Sequence, residues 1–160
     1  MKKLIILVAI LLSILVVQNI AFAESSKIGY VTLGKIFEDY QKVTDSNKEI
    51  DVVKEDIKKV IEGINKLKEG FDTLSPAAQE ERKNQVLAKQ EEIRKRTFEV
   101  RKDEDRILRE ILKDIENVSM ELRKKKKLTY IIDDRLILDG PKEMDLTDDV
   151  IEILNERYKK

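Results

Sequence analysis

Leu128-Thr129-Tyr130-Ile131-Ile132-Asp133-Asp134-Arg135-Leu136-Ile137-Leu138-Asp139-Gly140-Pro141 decides the fold. β-branched, aromatic and leucine side chains fill it on both sides of Asp134-Arg135, and Gly140-Pro141 ends it firmly. The pattern predicts two strands, 128–133 and 136–139, with Asp134-Arg135 as the turn between them. A third segment of the same kind, Lys27-Ile28-Gly29-Tyr30-Val31-Thr32-Leu33, lies more than ninety residues upstream. Its apolar groups fall on both faces, so it is expected to be covered on each side and not to stand as a free edge.

Helix fills the interval. From Lys35 onward Ile36, Tyr40, Val43, Ile50, Val53, Ile57, Ile61, Ile64, Leu67 and Phe71 recur at spacings of three and four, with Glu, Lys and Asp opposite. Gly70 to Pro76 interrupts this seam. Gly70 permits a C-terminal cap, Ser75 can cap the next helix, and Pro76 suits a first helical position. The chain is expected to reverse there and return through Val86, Ile93, Val100, Ile107, Ile111, Ile115, Val118 and Leu122 to about Lys127. At 1.5 Å per residue the outgoing arm is roughly 50 Å long and the returning arm roughly 75 Å. The longer arm must therefore pack its Ile- and Leu-rich end on the strands. Between Ala88 and Arg106 the seam thins to Ile93, Phe98 and Val100, a stretch that buries little and opens readily.

After Gly140-Pro141, Asp145-Leu146-Thr147 opens a last helix from Asp148 to about Glu156. Asp145 or Thr147 can cap it, Asp148 and Asp149 favour its positive end, and Val150, Ile151, Ile153 and Leu154 form its packing face. The expected class is α+β: a long antiparallel helical coiled-coil hairpin inserted between strands of one small β-body. Three short strands and one helix bury too little to steady two long arms. Self-association through the body is expected to supply the missing core.

The N-terminal twenty-three residues read differently. Lys2 and Lys3 precede an apolar run from Leu4 to Val17 broken only by Ser13, and Ala21-Phe22-Ala23 gives the small-x-small pattern of a cleavage site. A signal peptide removed after Ala23 and export to the periplasm are expected. The alternative, a permanent anchor, meets a charge-free core shorter than the roughly 20 residues a spanning helix needs. With no Cys, neither lipid attachment through a thiol nor a disulfide is available.

Composition narrows function by exclusion. The chain of 160 residues holds 32 basic and 32 acidic side chains and is 40% charged. That is the make-up of solvent-washed helices, and its neutrality argues against nucleic acid as the main partner. Without His or Cys, imidazole bases, thiol nucleophiles and the common zinc ligands are missing. No glycine-rich nucleotide loop occurs, and the acidic runs Glu80-Glu81 and Asp103-Glu104-Asp105 sit on solvated helix. No catalytic residue, cofactor or metal site is expected, since turn formation accounts for Asp133, Asp134 and Asp139 without a bound cation. An enzyme is not the reading.

Two surface features remain. The run Arg123-Lys124-Lys125-Lys126-Lys127 is either a solvated last helical turn favoured by the dipole or an attractor for acidic lipid head groups or client segments. At the bend, Phe71 and Leu74 either close the end of the helix pair or touch a partner.

The arrangement resembles the OmpH/Skp family of periplasmic chaperones. The resemblance rests on Lys27-Ile28-Gly29-Tyr30-Val31, the segment from Ile36 to Tyr40, Tyr130-Ile131-Ile132-Asp133 through Leu138, and most specifically Gly140-Pro141 followed by Asp145-Leu146-Thr147-Asp148-Asp149-Val150-Ile151. It implies a homotrimer whose subunits contribute strands to a small β-barrel, with helical arms that hold unfolded outer-membrane proteins without ATP. On this chain the body would be 26–34 and 128–157, with the arm at 35–127 and its tip near 70–76. The assembly residues would be Ile28, Tyr30, Val31, Tyr130, Ile132, Leu136, Leu138 and Val150. Members of the family are often strongly basic towards the arm tips. Here seven basic side chains between Asn65 and Lys95 face six acidic ones, which disfavours capture of acidic membrane components by the tips. The reading from another class is a coiled-coil envelope scaffold that spaces other components.

Overall fold

The computed structural model describes residues 27–160, so the expected signal segment lies outside the described residues. Strand β1, Ile28–Val31, leads directly into a short helix α1, Leu33–Asp39. After a break at Tyr40, α2 spans Gln41–Lys68. One 3-10 turn, Phe71–Thr73, forms the tip, and α3 returns over Pro76–Lys125. Strand β2, Tyr130–Asp133, and two further 3-10 turns precede the last helix, α4, Thr147–Tyr158.

The hairpin tip is built by the residues that announce it. Gly70 adopts φ 65°, the left-handed conformation only glycine takes freely. Ser75 Oγ accepts from the Ala78 amide at 3.4 Å ahead of Pro76. Arg82 donates to the Leu67 and Glu69 carbonyls and Gln79 to those of Phe71 and Leu74, occupying acceptors the helix end would leave bare. Phe71 and Leu74 are half-buried in this closure.

At its other end α3 stops in a Schellman turn. Lys127 takes φ 55°, the Leu128 amide donates to Arg123 O at 2.9 Å, and the Lys127 amide donates to Lys124 O at 3.2 Å. This turn aims β2 back along β1 in a parallel pair, which needs a long crossover; the hairpin is that crossover. On its other side β1 makes a bridge from Tyr30 to Asp145, where the Leu146 amide donates to Tyr30 O at 2.9 Å. Both edges of β1 are thus engaged, so it is not a free edge, but its outward face, expected to be covered, is open in the single chain, where Ile28 is exposed.

The core lies at the base of the arms. Val31 and Ile36 meet Ile111, Ile115, Val118 and Leu122 of α3 and Leu146, Val150 and Leu154 around α4. The long returning arm does pack its Ile-rich end on the strand zone.

Two further expectations fail. Residues 136–139 form no strand: Asp133 accepts from the Arg135 amide at 3.0 Å and starts the 3-10 turn Asp134–Leu136. A tight hairpin needs residues that tolerate positive φ, and Asp-Arg offers an aspartate-capped turn in their place. The second failure is the uninterrupted helix from Lys35. Tyr40 sits at φ −78°, ψ 114°, which separates α1 from α2.

Candidate interaction surface

The register of the parallel pair sorts the sheet into two unlike faces. Ile28 aligns with Tyr130, Gly29 with Ile131, Tyr30 with Ile132 and Val31 with Asp133. Side chains alternate along a strand. Gly29, Val31 and Ile131 therefore face inward, where Val31 is buried and Ile131 packs on the core. A Cβ on Gly29 would lie 2.9 Å from both Leu128 and Leu146, so this face admits no larger residue there without movement.

The opposite face carries Ile28, Tyr30, Tyr130 and Ile132, without a charge among them. Ile28 is 43% exposed and Tyr130 60% exposed, while Tyr30 and Ile132 are half-buried. Ile28, expected among the assembly residues, is at the surface of the single chain. Next to this face Leu136 is 76% exposed and Leu138 wholly so. Four apolar residues at the base of one molecule thus stand open to water beside the half-buried Tyr30 and Ile132, a grouping unlike the scattered single exposed residues of a monomer surface.

An open groove of about 600 Å³ continues the apolar surface between β2 and the side of α3 that carries Ile115, Ser119, Met120 and Arg123. Glu116, Thr129 and Asp133 add polar groups to its lining, and β2 has one unpaired edge among the described residues. Sequence reasoning did not single out Met120. The available signal is a second apolar row on α3, Leu108, Leu112 and Met120, set off from the buried seam and exposed.

Hydrogen bonds hold the rim of this surface. Arg135 binds Asp133 through Nε at 2.9 Å and Nη2 at 2.6 Å. With the Arg135 amide added, these donors hold the Asp133 carboxyl at about 2, below its ordinary 3.8. Thr32 Oγ1 donates to Asp134 at 2.7 Å, and the Thr32 amide donates to Thr147 Oγ1 at 2.9 Å. Asp145 accepts from the Thr147 amide at 3.0 Å in a turn just ahead of α4, so neither Asp145 nor Thr147 is the N-cap expected of them: Leu146 takes that position without a side-chain hydrogen bond. The aspartates of this region serve turns and caps, and among the described residues no cluster of three metal-ligating side chains forms.

Of the other expected contact residues, Val31 and Val150 are interior to a single chain. The basic run divides. Arg123 lines the groove, Lys126 pairs with Asp149 of α4 at 2.7 Å, and Lys127 is the left-handed residue of the Schellman turn. Lys124 and Lys125 are exposed. The structure does not bring the tip residues Phe71 and Leu74 near this surface, because they lie at the far end of α2 and α3.

Comparisons with known proteins agree with this architecture. A crystal structure described as "a putative outer membrane chaperone (OmpH-like) from Caulobacter crescentus CB15" superposes with a TM-score of 0.62 at 13% identity, covering 85% of this chain and 88% of that one. No curated protein matches the sequence. The family described as outer membrane protein (OmpH-like) matches residues 27–154. Since that span includes β1, the whole hairpin, β2 and most of α4, the chain belongs to the OmpH-like family.

Proposed function

We propose that the chain is an ATP-independent holdase of the periplasm that encloses unfolded outer-membrane proteins and prevents their aggregation. One observation carries the reading: an open apolar face at the base of two long arms that have little core of their own. Covering Ile28, Tyr30, Tyr130, Ile132, Leu136 and Leu138 with the same residues of further copies would give a homotrimeric β-body. The arms, residues 35–127, would then project around a shared space. The body would comprise 26–34 and 128–157, behind a signal peptide cleaved after Ala23.

The arm surface supports weak, multivalent holding. Leu87, Phe98, Leu108 and Leu112 are exposed among charged neighbours, and Phe98 is 65% exposed. Contacts of that kind are individually modest and released without an energy source. Membership of the OmpH-like family and the likeness to an outer membrane chaperone favour the same function. A role of Arg123, Lys124 and Lys125 towards acidic lipid head groups would be secondary, with Lys126 already paired.

The test is dilution of a urea-unfolded outer-membrane protein into buffer with and without the purified mature chain. Turbidity should stay low with the chain present and no nucleotide added. A coiled-coil scaffold would leave aggregation unchanged, and that result would reject the holdase reading.

A further inference from the structure

The break at Tyr40 has no cause in its own sequence. Residues 35–62 contain neither Gly nor Pro, and the helical periodicity runs through without a gap. Kinks and breaks arise from such residues or from a group inserted into the backbone ladder. Here the inserted group is a side chain. In a continuous helix the Asp39 carbonyl would accept from the Val43 amide, and the Gln41 amide would donate to Phe37. Instead Asn155 Nδ2 donates to Asp39 O at 3.0 Å, and the Gln41 amide donates to Asn155 Oδ1 at 2.8 Å. The Val43 amide turns to Tyr40 O at 2.9 Å. One carboxamide from α4 thus supplies a donor and an acceptor to the two sides of the break, an arrangement that fixes its orientation.

The surroundings hold the same corner. Tyr40 is buried, its ring meets Tyr158 edge-on at 6.2 Å and 79°, and its hydroxyl donates to Asp114 at 3.1 Å. Lys42, on the arm side, binds Asp114 at 2.9 Å and Glu110 at 3.5 Å. Arg157, two residues after Asn155, pairs through both terminal guanidinium nitrogens with Glu121 of α3. The last helix therefore grips the root of the hairpin from both sides.

We infer that Asn155 is a positioning residue that imposes the α1–α2 break and so sets the angle at which the arm leaves the body. Without it, residues 33–68 regain the option of one continuous helix, and the arm root loses its single orientation. The inference extends the holdase reading by naming what poses the arm around a client, but its readout needs no client.

The chain has no Cys, so two exposed positions can be labelled cleanly: Asp72→Cys at the tip and Glu152→Cys on α4. Spin labels there, in full-length mature protein diluted with unlabelled chain, report the body-to-tip distance within one molecule. The Asn155→Leu variant is expected to shift or broaden a distribution that is single and narrow in the parent. Adding Gln41→Pro should restore it: Gln41 is the first residue of α2, where proline is tolerated, and proline holds the preceding Tyr40 in its extended conformation. An unchanged distribution in Asn155→Leu overturns the inference, and so does a broadened one that Gln41→Pro leaves broad. Should Asn155→Leu fail to fold, Asn155→Asp, which keeps the acceptor and loses the donor, takes its place under the same two criteria. Loss of aggregation suppression with an intact distance distribution would count against the holdase reading alone.

Discussion

The base of the molecule and the outer half of its arm use the same helical repeat and differ in what covers it. Around Ile111, Ile115, Val118 and Leu122, α3 is covered by α1, the start of α2, β1 and α4, and each of those side chains is almost fully buried. Farther out α3 has only α2 beside it, and the buried apolar residues of the arm reduce to Ile64 and Val100. A heptad-like seam is therefore not a core by itself. Two helices shield one stripe, and the rest of the arm carries exposed ion pairs, across the helices as in Lys54–Glu104 or within α3 as in Arg94–Glu91, which contribute little each. The contrast assigns rigidity to the base and easy local opening to the arm. That division would suit the proposed enclosure of clients of varying shape.

The largest effect expected is on assembly. Ile132→Asp puts a carboxylate on the open sheet face, and burying it unpaired between subunits would cost several kcal/mol, comparable to a small domain's whole stability. Light scattering should show the subunit mass alone, with aggregation suppression lost as well. An associated variant would mean that the face is not the hub.

Next in size is a pair of substitutions that sets base against arm directly. Leu154→Ala at the base should destabilise the fold by about 3 kcal/mol and lower the cooperative melting temperature. Val100→Ala in the arm should cost about 1.5 kcal/mol and show itself as faster hydrogen exchange in α2 and outer α3, with the base amides unaffected. Equal global destabilisation by both would erase the contrast.

Smaller still is Lys127→Gly. Lysine in the left-handed region carries a steric penalty that glycine avoids, so denaturant titration should show a gain of about 1 kcal/mol. The smallest effect is one of pH. Asp133 is held at about 2 in the folded chain against an ordinary 3.8. Its contribution is fully present above about pH 4 and is lost as the pH falls towards 2, since protonation then favours the unfolded chain. Asp133→Asn should flatten that part of the acid stability profile through a modest loss of stability above about pH 4 that disappears towards pH 2.

Much of this fold was legible in the sequence because its causes are local. Gly70, Ser75 and Pro76 mark the reversal, the β-branched runs mark β1 and β2, and Asp145-Leu146-Thr147 marks the start of α4. What was hidden depends on distant partners. The break at Tyr40 answers to Asn155, 114 residues from the Gln41 amide that it accepts. The extra bridge on β1 comes from Asp145, a residue whose sequence pattern pointed only to a helix start and gave no hint of it. Leu136-Ile137-Leu138 has strand composition, but composition supplies no hydrogen-bonding partner, and the aspartate-capped turn before it directs the chain elsewhere. The candidate surface was legible as a list of residues. Its division into an inward and an outward face required the register, since the parallel pairing alone puts Ile28 with Tyr130 and Val31 with Asp133 on opposite sides.

The most direct test of the account is the mass of the purified mature chain in solution at micromolar concentration, measured by light scattering on a sizing column. The account predicts three times the subunit mass, together with protection from exchange at β2. A folded species of one subunit mass that melts cooperatively would contradict it.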